Sequence, residues 1–231
     1  APSAALTIAG EGPLQDFAAN VALETDGAPR LSGQVTTKGT DQGGTAFAAD
    51  LSGNLAPLFL PDYAAFFGDS VALVVDGTRS ADGQLDLEKL SLKARALRLD
   101  GQLSLAADGL PERFSLTGDL GLPGSEPVLL PLAGAVETRI GGADLALGYD
   151  ASGGEGWSLR TTITHMQRAD FSAERLDLSG SGRIARGQGT ALIGATLNFD
   201  ASGLQPADPA LAQALGGRIT GLAIGFWRQG D

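Results

Sequence analysis

The alternation of apolar and polar residues with a period of two constrains this chain more than any other feature. From Phe17 the odd-numbered residues 17, 19, 21 and 23 are apolar, whereas Asn20 and Glu24 take the other parity. A period of two sends successive side chains to opposite faces of a β-strand. The pattern returns about a dozen times between Gly, Asp, Asn and Pro turns, and it therefore predicts an all-β fold. After the first strand, the predicted strands are residues 31–37, 47–51, 71–75, 85–87, 90–96, 97–105, 114–122, 143–149, 157–163, 176–184, 191–199 and 222–226.

The parity of the leucines changes twice in the middle of the chain. Leu85 and Leu87 are odd-numbered, Leu90 and Leu92 are even-numbered, and the leucines from position 97 to position 105 are odd-numbered again. Because a slip of one residue exchanges the two faces of a sheet, we expect a tight turn or bulge at residues 88–89 and a bulge or bend at residues 96–97. The apolar residues then stay on one face throughout.

This shared apolar face has two interpretations. A sandwich or a closed barrel would bury it as an ordinary core, because exposed apolar patches of such size do not persist in water. A long, curved, antiparallel-rich sheet that forms a half-open groove would instead leave an apolar interior for lipid acyl chains. Both interpretations are all-β.

Two segments depart from the strand pattern and predict short helices. Residues 60–68 have Pro61 near the first helical position and Gly68 at the end. Residues 208–216 offer Asp208 as the N-cap, Pro209 at the first position and Gly216 as the C-terminal cap. Either helix could plug an end of a sheet or cover one of its faces.

The composition excludes several classes of function. The chain has no Cys, one His and one Met, which removes thiol nucleophiles, disulfides and Cys-based or His-rich metal sites. Its 27 acidic and 16 basic residues give a net charge of −11, which would repel a phosphate backbone. We therefore expect no cofactor, no metal and no nucleic-acid partner. The 34 Gly and 11 Pro residues disfavour a helix bundle.

No motif indicates an enzyme. His165 lies at the end of a predicted strand, and no marked nucleophile or Gly-x-Ser-x-Gly turn accompanies it. Residues 180–185 match the Gly-x-Gly-x-x-Ala string of dinucleotide sites, but Gly187 and Gly189 follow where a helix would have to begin. We interpret both features as structural.

Residues 1–231 are predicted to be a single continuous β segment, because no composition shift marks a domain boundary. The first residues lack a signal-peptide pattern and position 1 is not Met, so we expect a mature or excised piece of a longer protein. The longest apolar runs, such as residues 64–67, are far shorter than the roughly 20 residues that span a bilayer.

The candidate lipid-contacting residues are the large apolar residues of the predicted strands that share one parity per strand. They are Leu85, Leu87, Leu90, Leu92, Leu97, Leu99, Leu103, Leu105, Phe114, Leu116, Ile193, Leu197 and Phe199.

Five segments carry a resemblance to a known family. They are residues 51–68 (LSGNLAPLFLPDYAAFFG), 96–101 (ALRLDG), 108–114 (DGLPERF), 127–132 (PVLLPL) and 203–209 (GLQPADP). These segments resemble the internal region of TamB proteins from alphaproteobacteria, which are related to the AsmA-like and bridge-like lipid transfer proteins. TamB is the periplasm-spanning subunit of the translocation and assembly module.

The resemblance implies a β-taco groove that shields phospholipid acyl chains for transport between the inner and outer membranes, and support for outer-membrane protein assembly. It also implies a periplasmic location in a Gram-negative bacterium, anchorage of the full-length protein in the inner membrane, and the partner TamA in the outer membrane. The resemblance covers neither the N-terminal anchor nor the C-terminal docking part of that family. The chain would therefore be a middle segment that contacts neighbouring TamB segments, and the family has no catalytic residues to carry over.

Two other functions remain open. The same sheet could be a non-lipid scaffold whose unpaired edge strands bind outer-membrane protein strands by β-augmentation. The chain could also be an extracellular carbohydrate-binding or adhesin sandwich, which would need exposed aromatic platforms. The Trp and Tyr residues that could build such platforms are Tyr63, Tyr149, Trp157 and Trp227.

Overall fold

The computed structural model describes residues 3–13, 15–132, 136–186 and 191–228. In these residues the chain forms 16 strands, all paired antiparallel where their register is defined, and two short α-helices. The predicted all-β, antiparallel-rich fold class with two short helices is confirmed. The chain divides into two compact units, Ala1–Glu112 and Arg113–Asp231, and each is described by itself. That the whole chain is one continuous groove segment stays a prediction.

The first unit is a sheet in which each strand pairs with the next one along the chain, from β1 to β7. A stretch of short helical turns connects the fourth strand to the fifth. The elements are β1 (Ala4–Glu11), β2 (Asp16–Thr25), β3 (Ala28–Gly39), β4 (Thr45–Gly53), 3₁₀ turns at Ala56–Leu58 and Pro61–Tyr63, α1 (Ala64–Phe67), β5 (Val71–Arg79), β6 (Leu85–Ala94) and β7 (Leu97–Leu105).

The second unit follows the same principle with short inserted elements. Its main strands pair in the order β8, β11, β12, β13, β14 and β16, while β10 pairs with β9 and β12, and β15 pairs with β13. The elements are β8 (Pro111–Gly121, in this unit from Arg113), a 3₁₀ turn at Pro123–Ser125, β9 (Val128–Leu129), β10 (Thr138–Ile140), β11 (Gly142–Asp150), β12 (Gly156–Arg168), β13 (Phe171–Arg186), β14 (Ala191–Ser202), β15 (Gln205–Pro206), α2 (Pro209–Leu215) and β16 (Arg218–Arg228).

The register of the first unit confirms one expected parity change and corrects the other. The pairing of β6 with β7 shifts between Leu87 and Leu90, so residues 88–89 form a bulge inside one strand. At residues 96–97, however, the chain forms no bulge or bend: Ala94 pairs with Leu97, and Arg95 and Ala96 make a two-residue hairpin turn. The sequence gives no signal for this turn, because residues 95–96 are neither Gly, Asn, Asp nor Pro.

A contact from α1 completes that hairpin turn. The backbone N–H groups of Arg95 and Ala96 donate to the carbonyls of Phe67 and Phe66 at 3.2 and 3.0 Å. These donors are thus satisfied by a helix that precedes them in the chain rather than within the turn. The side chains of Phe66, Val71 and Ala96 are buried at this end of the sheet, so the predicted first helix exists and plugs one end of the first unit.

The second predicted helix is confirmed, with its caps. The Asp208 carboxylate accepts from the N–H groups of Ala210 and Leu211 at 2.8 and 3.4 Å, and Gly216 ends the helix at φ 63°. Unlike α1, it buries none of its residues. In the second unit the small core lies instead around β9 and β10, where Val128, Leu129 and Ile140 are buried.

Four strands escaped the sequence-based prediction for lack of a distinctive pattern. The edge strand β1 has only two large apolar residues, Leu6 and Ile8, among small and polar ones. The strands β9, β10 and β15 are only two or three residues long. In each unit the fully buried residues are few, and most of the sheet remains half-buried.

Candidate functional site

The eight predicted leucines of the first unit lie together on one face of β6 and β7. The register pairs Leu85 with Leu105, Leu87 with Leu103 and Leu92 with Leu99. Leu90 pairs with Gly101 and Leu97 with Ala94, so all eight share the face. Each of them is half-buried, and none is sealed in a core. The rows continue into β5, where Leu73 pairs with Leu92 and Val75 with Leu90.

The five predicted residues of the second unit lie on β8 and β14, at two sides of its sheet. Leu116 and Leu197 belong to one cross-strand row, which Leu147, Leu159 and Gly180 complete between them. Phe114, Ile193 and Phe199 occupy the same face in neighbouring rows, opposite Tyr149, Ile184 and Leu178. All five are half-buried. We call this face, together with its counterpart in the first unit, the apolar face of each unit.

Aromatic side chains cover glycines on the apolar face of the second unit. Trp157 lies over Gly180 and Gly182, and its indole N–H donates to the Gly194 carbonyl at 3.0 Å. Phe199 lies over Gly221 in the same manner. On this face, aromatic rings thus cover the backbone of glycines on neighbouring strands.

The four Trp and Tyr residues that a carbohydrate platform would need differ in exposure. Tyr149 is 4% exposed and stacks on Phe114 with ring centroids 5.4 Å apart. Its hydroxyl is buried and has no hydrogen-bond partner in the part of the chain that the structure describes. Tyr63 and Trp157 are half-buried, and Trp227 is exposed.

The opposite face of the second unit is polar, and aspartates form a row across it. The register connects Asp119, Asp144, Thr162, Asp177 and Asp200 from strand to strand. Like charges on directly opposed residues destabilise a sheet unless other charges compensate them. No three of the acidic or histidine residues that the structure describes are arranged to hold a metal ion.

Arginines compensate half of this row. The Arg175 guanidinium donates two hydrogen bonds of 2.7 Å to Asp177 and lowers the pKa of that carboxyl, with a further contribution from the Thr162 hydroxyl at 2.6 Å. Arg218 binds Asp200 through bonds of 3.0 and 2.6 Å and lowers its pKa in the same way. Asp177 and Asp200 are thus already engaged by charge-assisted hydrogen bonds.

An open cavity of about 730 Å³ lies along this row of aspartates. Its charged walls are Asp144, Arg160, Asp177 and Asp200, and burial of these groups under an acyl chain would cost them their hydration. Leu178 and Phe199 also line the cavity. The cavity therefore shares Phe199 with the predicted lipid-contacting residues, while the other twelve lie outside its lining.

His165 and the glycine string take structural positions. His165 is exposed and has φ 50° at a kink of β12, a conformation in which His is enriched. Residues 180–185 lie within β13, so no helix begins there to hold a pyrophosphate. The interpretation of that string as structural is confirmed.

Apolar side chains are also exposed on the two outer strands. Leu6 and Ile8 of β1 are 65% and 62% exposed, and Ile224 and Phe226 of β16 are 66% and 77% exposed. Among the described residues, β1 pairs only with β2 and β16 only with β14. Each of these strands therefore presents one unpaired edge next to apolar side chains.

The accessible surface area of the chain is large for its mass, at 13789 Å² for 23.4 kDa. A compact monomer of this mass exposes about 9,700 Å², and two separate compact domains of half the mass expose about 11,800 Å² together. The excess over the second figure is about 2,000 Å² and does not depend on how the two units are arranged. The chain thus leaves uncovered a surface that other proteins bury.

Sequence reasoning missed three participants. Leu147 and Tyr149 lie directly opposite the predicted residues Leu116 and Phe114 of β8 and share their face. The apolar parity of residues 143–149, which is odd, would have found them. The third is Arg79, the last residue of β5. Listing the odd-numbered residues of 71–79 would have placed it on the apolar face, after Val71, Leu73, Val75 and Gly77.

None of the helices in the described ranges has the length and hydropathy to cross a membrane. Comparison of the chain with models of known protein families, with curated proteins and with solved structures finds no match.

Proposed function

We propose that this chain shields phospholipid acyl chains on the apolar faces of its two units. The observation that carries the proposal is the state of the thirteen predicted residues, which occupy continuous apolar rows and are all half-buried. A core residue is sealed by its own protein, whereas these side chains keep surface that another apolar molecule can cover. Covering this apolar surface is favourable by about 25 cal/mol of free energy per Å² removed from water.

The wider setting is proposed on the resemblance of the five segments. The chain would be an internal segment of a TamB-like protein in the periplasm, next to further segments of the same protein. It would conduct phospholipids between the inner and outer membranes, and the whole protein would assist outer-membrane protein assembly with TamA. The role requires solvation rather than reaction, so no side chain is proposed to be catalytic and no cofactor is required.

Photocrosslinking tests the proposal. A photoreactive amino acid is placed at Leu99, Leu116 or Leu197 on the apolar faces, and at Arg98, Thr117 or Asn198 on the neighbouring polar positions as matched controls. The protein is irradiated with vesicles of phosphatidylethanolamine and phosphatidylglycerol that contain a radiolabelled phospholipid. We expect labelled adducts at the three apolar positions and not at the controls. Equal labelling of both sets, or no labelling at all, would overturn the proposal.

A second candidate function is favoured by the outer strands. The unpaired edges of β1 and β16 lie beside exposed apolar residues, as a strand that accepts another by β-augmentation requires. The ligand would then be an unfolded outer-membrane protein strand. Photoreactive residues at Thr7 and Ala223 would capture such a strand, whereas Leu99 would capture neither it nor lipid.

A further inference from the structure

One charged residue interrupts the apolar rows of the first unit. Among the paired residues of β4 to β7, the register places a single ionised side chain on the apolar face, that of Arg79. It pairs with Thr45 on one side and with Leu85 on the other. Gly77, two residues earlier on the same face, lies beneath the side chains of Phe47 and Leu87. The apolar character of β5 therefore ends at Arg79.

The side chain of Arg79 has no polar partner within the described residues. It is exposed and makes no ion pair or side-chain hydrogen bond there. By contrast, Arg175 and Arg218 on the polar face of the second unit each hold an aspartate in two hydrogen bonds. Arg79 therefore places a positive charge that no described carboxylate neutralises at the end of an apolar surface.

Buried apolar side chains lie at the opposite end of these strands. Val71 begins β5 there, 7% exposed, next to the buried Phe66 and Ala96. From Val71 to Arg79 the strand advances eight residues, or about 27 Å. Half of a bilayer, from its midplane to the outside of the headgroups, measures about 20–22 Å. The face is therefore long enough for one phospholipid lying along the strands, with its chain ends at Phe66 and its headgroup at Arg79.

We propose that Arg79 binds the phosphate of a phospholipid whose acyl chains lie along β5, β6 and β7 and end near Phe66. This inference rests on the proposed function and adds the orientation of the lipid and the group that recognises it. A guanidinium suits the task because its planar N–H groups match two phosphate oxygens. The proposed ligand is a phosphodiester lipid rather than a neutral lipid or a soluble phosphate ester.

The test compares Arg79→Gln with Arg98→Gln, which removes the same charge from the polar face of β7. Each variant carries a photoreactive residue at Leu90 and is irradiated with vesicles that contain radiolabelled phosphatidylglycerol or radiolabelled diacylglycerol. We expect Arg79→Gln to capture phosphatidylglycerol at least about 10-fold less than the wild type does, because a charge-assisted hydrogen bond is lost. Its capture of diacylglycerol and the capture of phosphatidylglycerol by Arg98→Gln stay near wild type. Arg79→Lys keeps the charge but loses the two parallel hydrogen bonds, so we expect it to capture an amount of phosphatidylglycerol between those of the wild type and Arg79→Gln.

Each other outcome has a distinct meaning. Unchanged capture of phosphatidylglycerol by Arg79→Gln overturns the role of Arg79 and leaves the lipid-shielding function standing. An equal loss of diacylglycerol shows that the substitution damages the apolar face, which also overturns the role. Competition by excess glycerol phosphate would assign Arg79 to soluble phosphate esters instead. If the wild type captures neither lipid, the proposed function itself fails, and this inference with it.

Discussion

At the scale of single residues, the apolar face of the second unit combines large rings with glycines. Trp157 covers Gly180 and Gly182, and its N–H reaches the Gly194 carbonyl at 3.0 Å. Because the ring occupies the space above these glycines, any side chain there would displace either the ring or the neighbouring strand. A glycine beneath a ring is therefore fixed by packing rather than by backbone conformation.

Substitution of Gly182 by Ala tests this packing. A Cβ at Gly182 would collide with the Gly194 carbonyl oxygen and lie 2.7 Å from the indole nitrogen of Trp157. We expect the free energy of unfolding to fall by about 1–3 kcal/mol, because the added methyl group overpacks the sheet. Urea unfolding followed by Trp fluorescence measures it.

Gly225→Ala is the matched control, because Gly225 lies in the same cross-strand row, with Ala195 between the two glycines. A Cβ there would meet nothing within 4 Å, so we expect a change within about 0.5 kcal/mol. Equal effects of the two substitutions would contradict the account of the covered glycine.

At the scale of elements, α1 and the hairpin between β6 and β7 form one unit of structure. The helix supplies the two carbonyls that receive the N–H groups of Arg95 and Ala96, and Phe66 fills the space beneath them. Phe66 also meets the ring of Phe67 edge-on, with centroids 5.2 Å apart. The end of the sheet thus depends on a segment from the long β4–β5 connection.

Phe66→Ala is expected to lower the free energy of unfolding by about 3–5 kcal/mol, because it removes a buried ring and leaves a cavity. Leu60→Ala provides the comparison: Leu60 belongs to the same connection but is 65% exposed, and we expect a change within about 0.5 kcal/mol. Thermal or urea unfolding of both variants gives the two values. A small effect of Phe66→Ala would mean that the plug does not support the sheet.

The elements differ in how far the sequence predicts them. The strands with alternating residues, the bulge at residues 88–89 and the capped helix α2 follow from local patterns and are confirmed. The Arg95–Ala96 turn does not, because its donors are satisfied by a helix about 30 residues earlier. The pairing of β9 with β10 is likewise decided by packing.

The candidate site could likewise be predicted only in part from the sequence. Parity alone places the thirteen apolar residues on shared faces, as the register confirms. Parity does not report how far each side chain is covered, since that depends on neighbours from other strands. It also gives no sign of the cavity that Asp177, Asp200 and Phe199 line, which forms only when five strands come together.

At the scale of the whole molecule, the excess of accessible surface has a calorimetric consequence. Unfolding a compact protein of this length raises the heat capacity by about 2.8–3.5 kcal/mol/K. If the extra 2,000 Å² is apolar, about 0.9 kcal/mol/K of that increase is already present in the native state. Differential scanning calorimetry of the lipid-free protein should therefore give a value below the compact range. A value within or above that range would indicate that the apolar faces are covered.

The connectivity of the first unit bears on how such a sheet can be made. From β1 to β7 every strand pairs with the strand that follows it in the chain, so each pairing joins neighbouring segments of the sequence and none joins the two ends of the sheet. Folding is fastest when contacts are local, because little chain entropy is lost before each contact forms. The sheet can therefore grow one strand at a time as the polypeptide emerges, each new strand using the last as its template. An extended surface of this kind can be lengthened by adding hairpins without redesigning what is already folded.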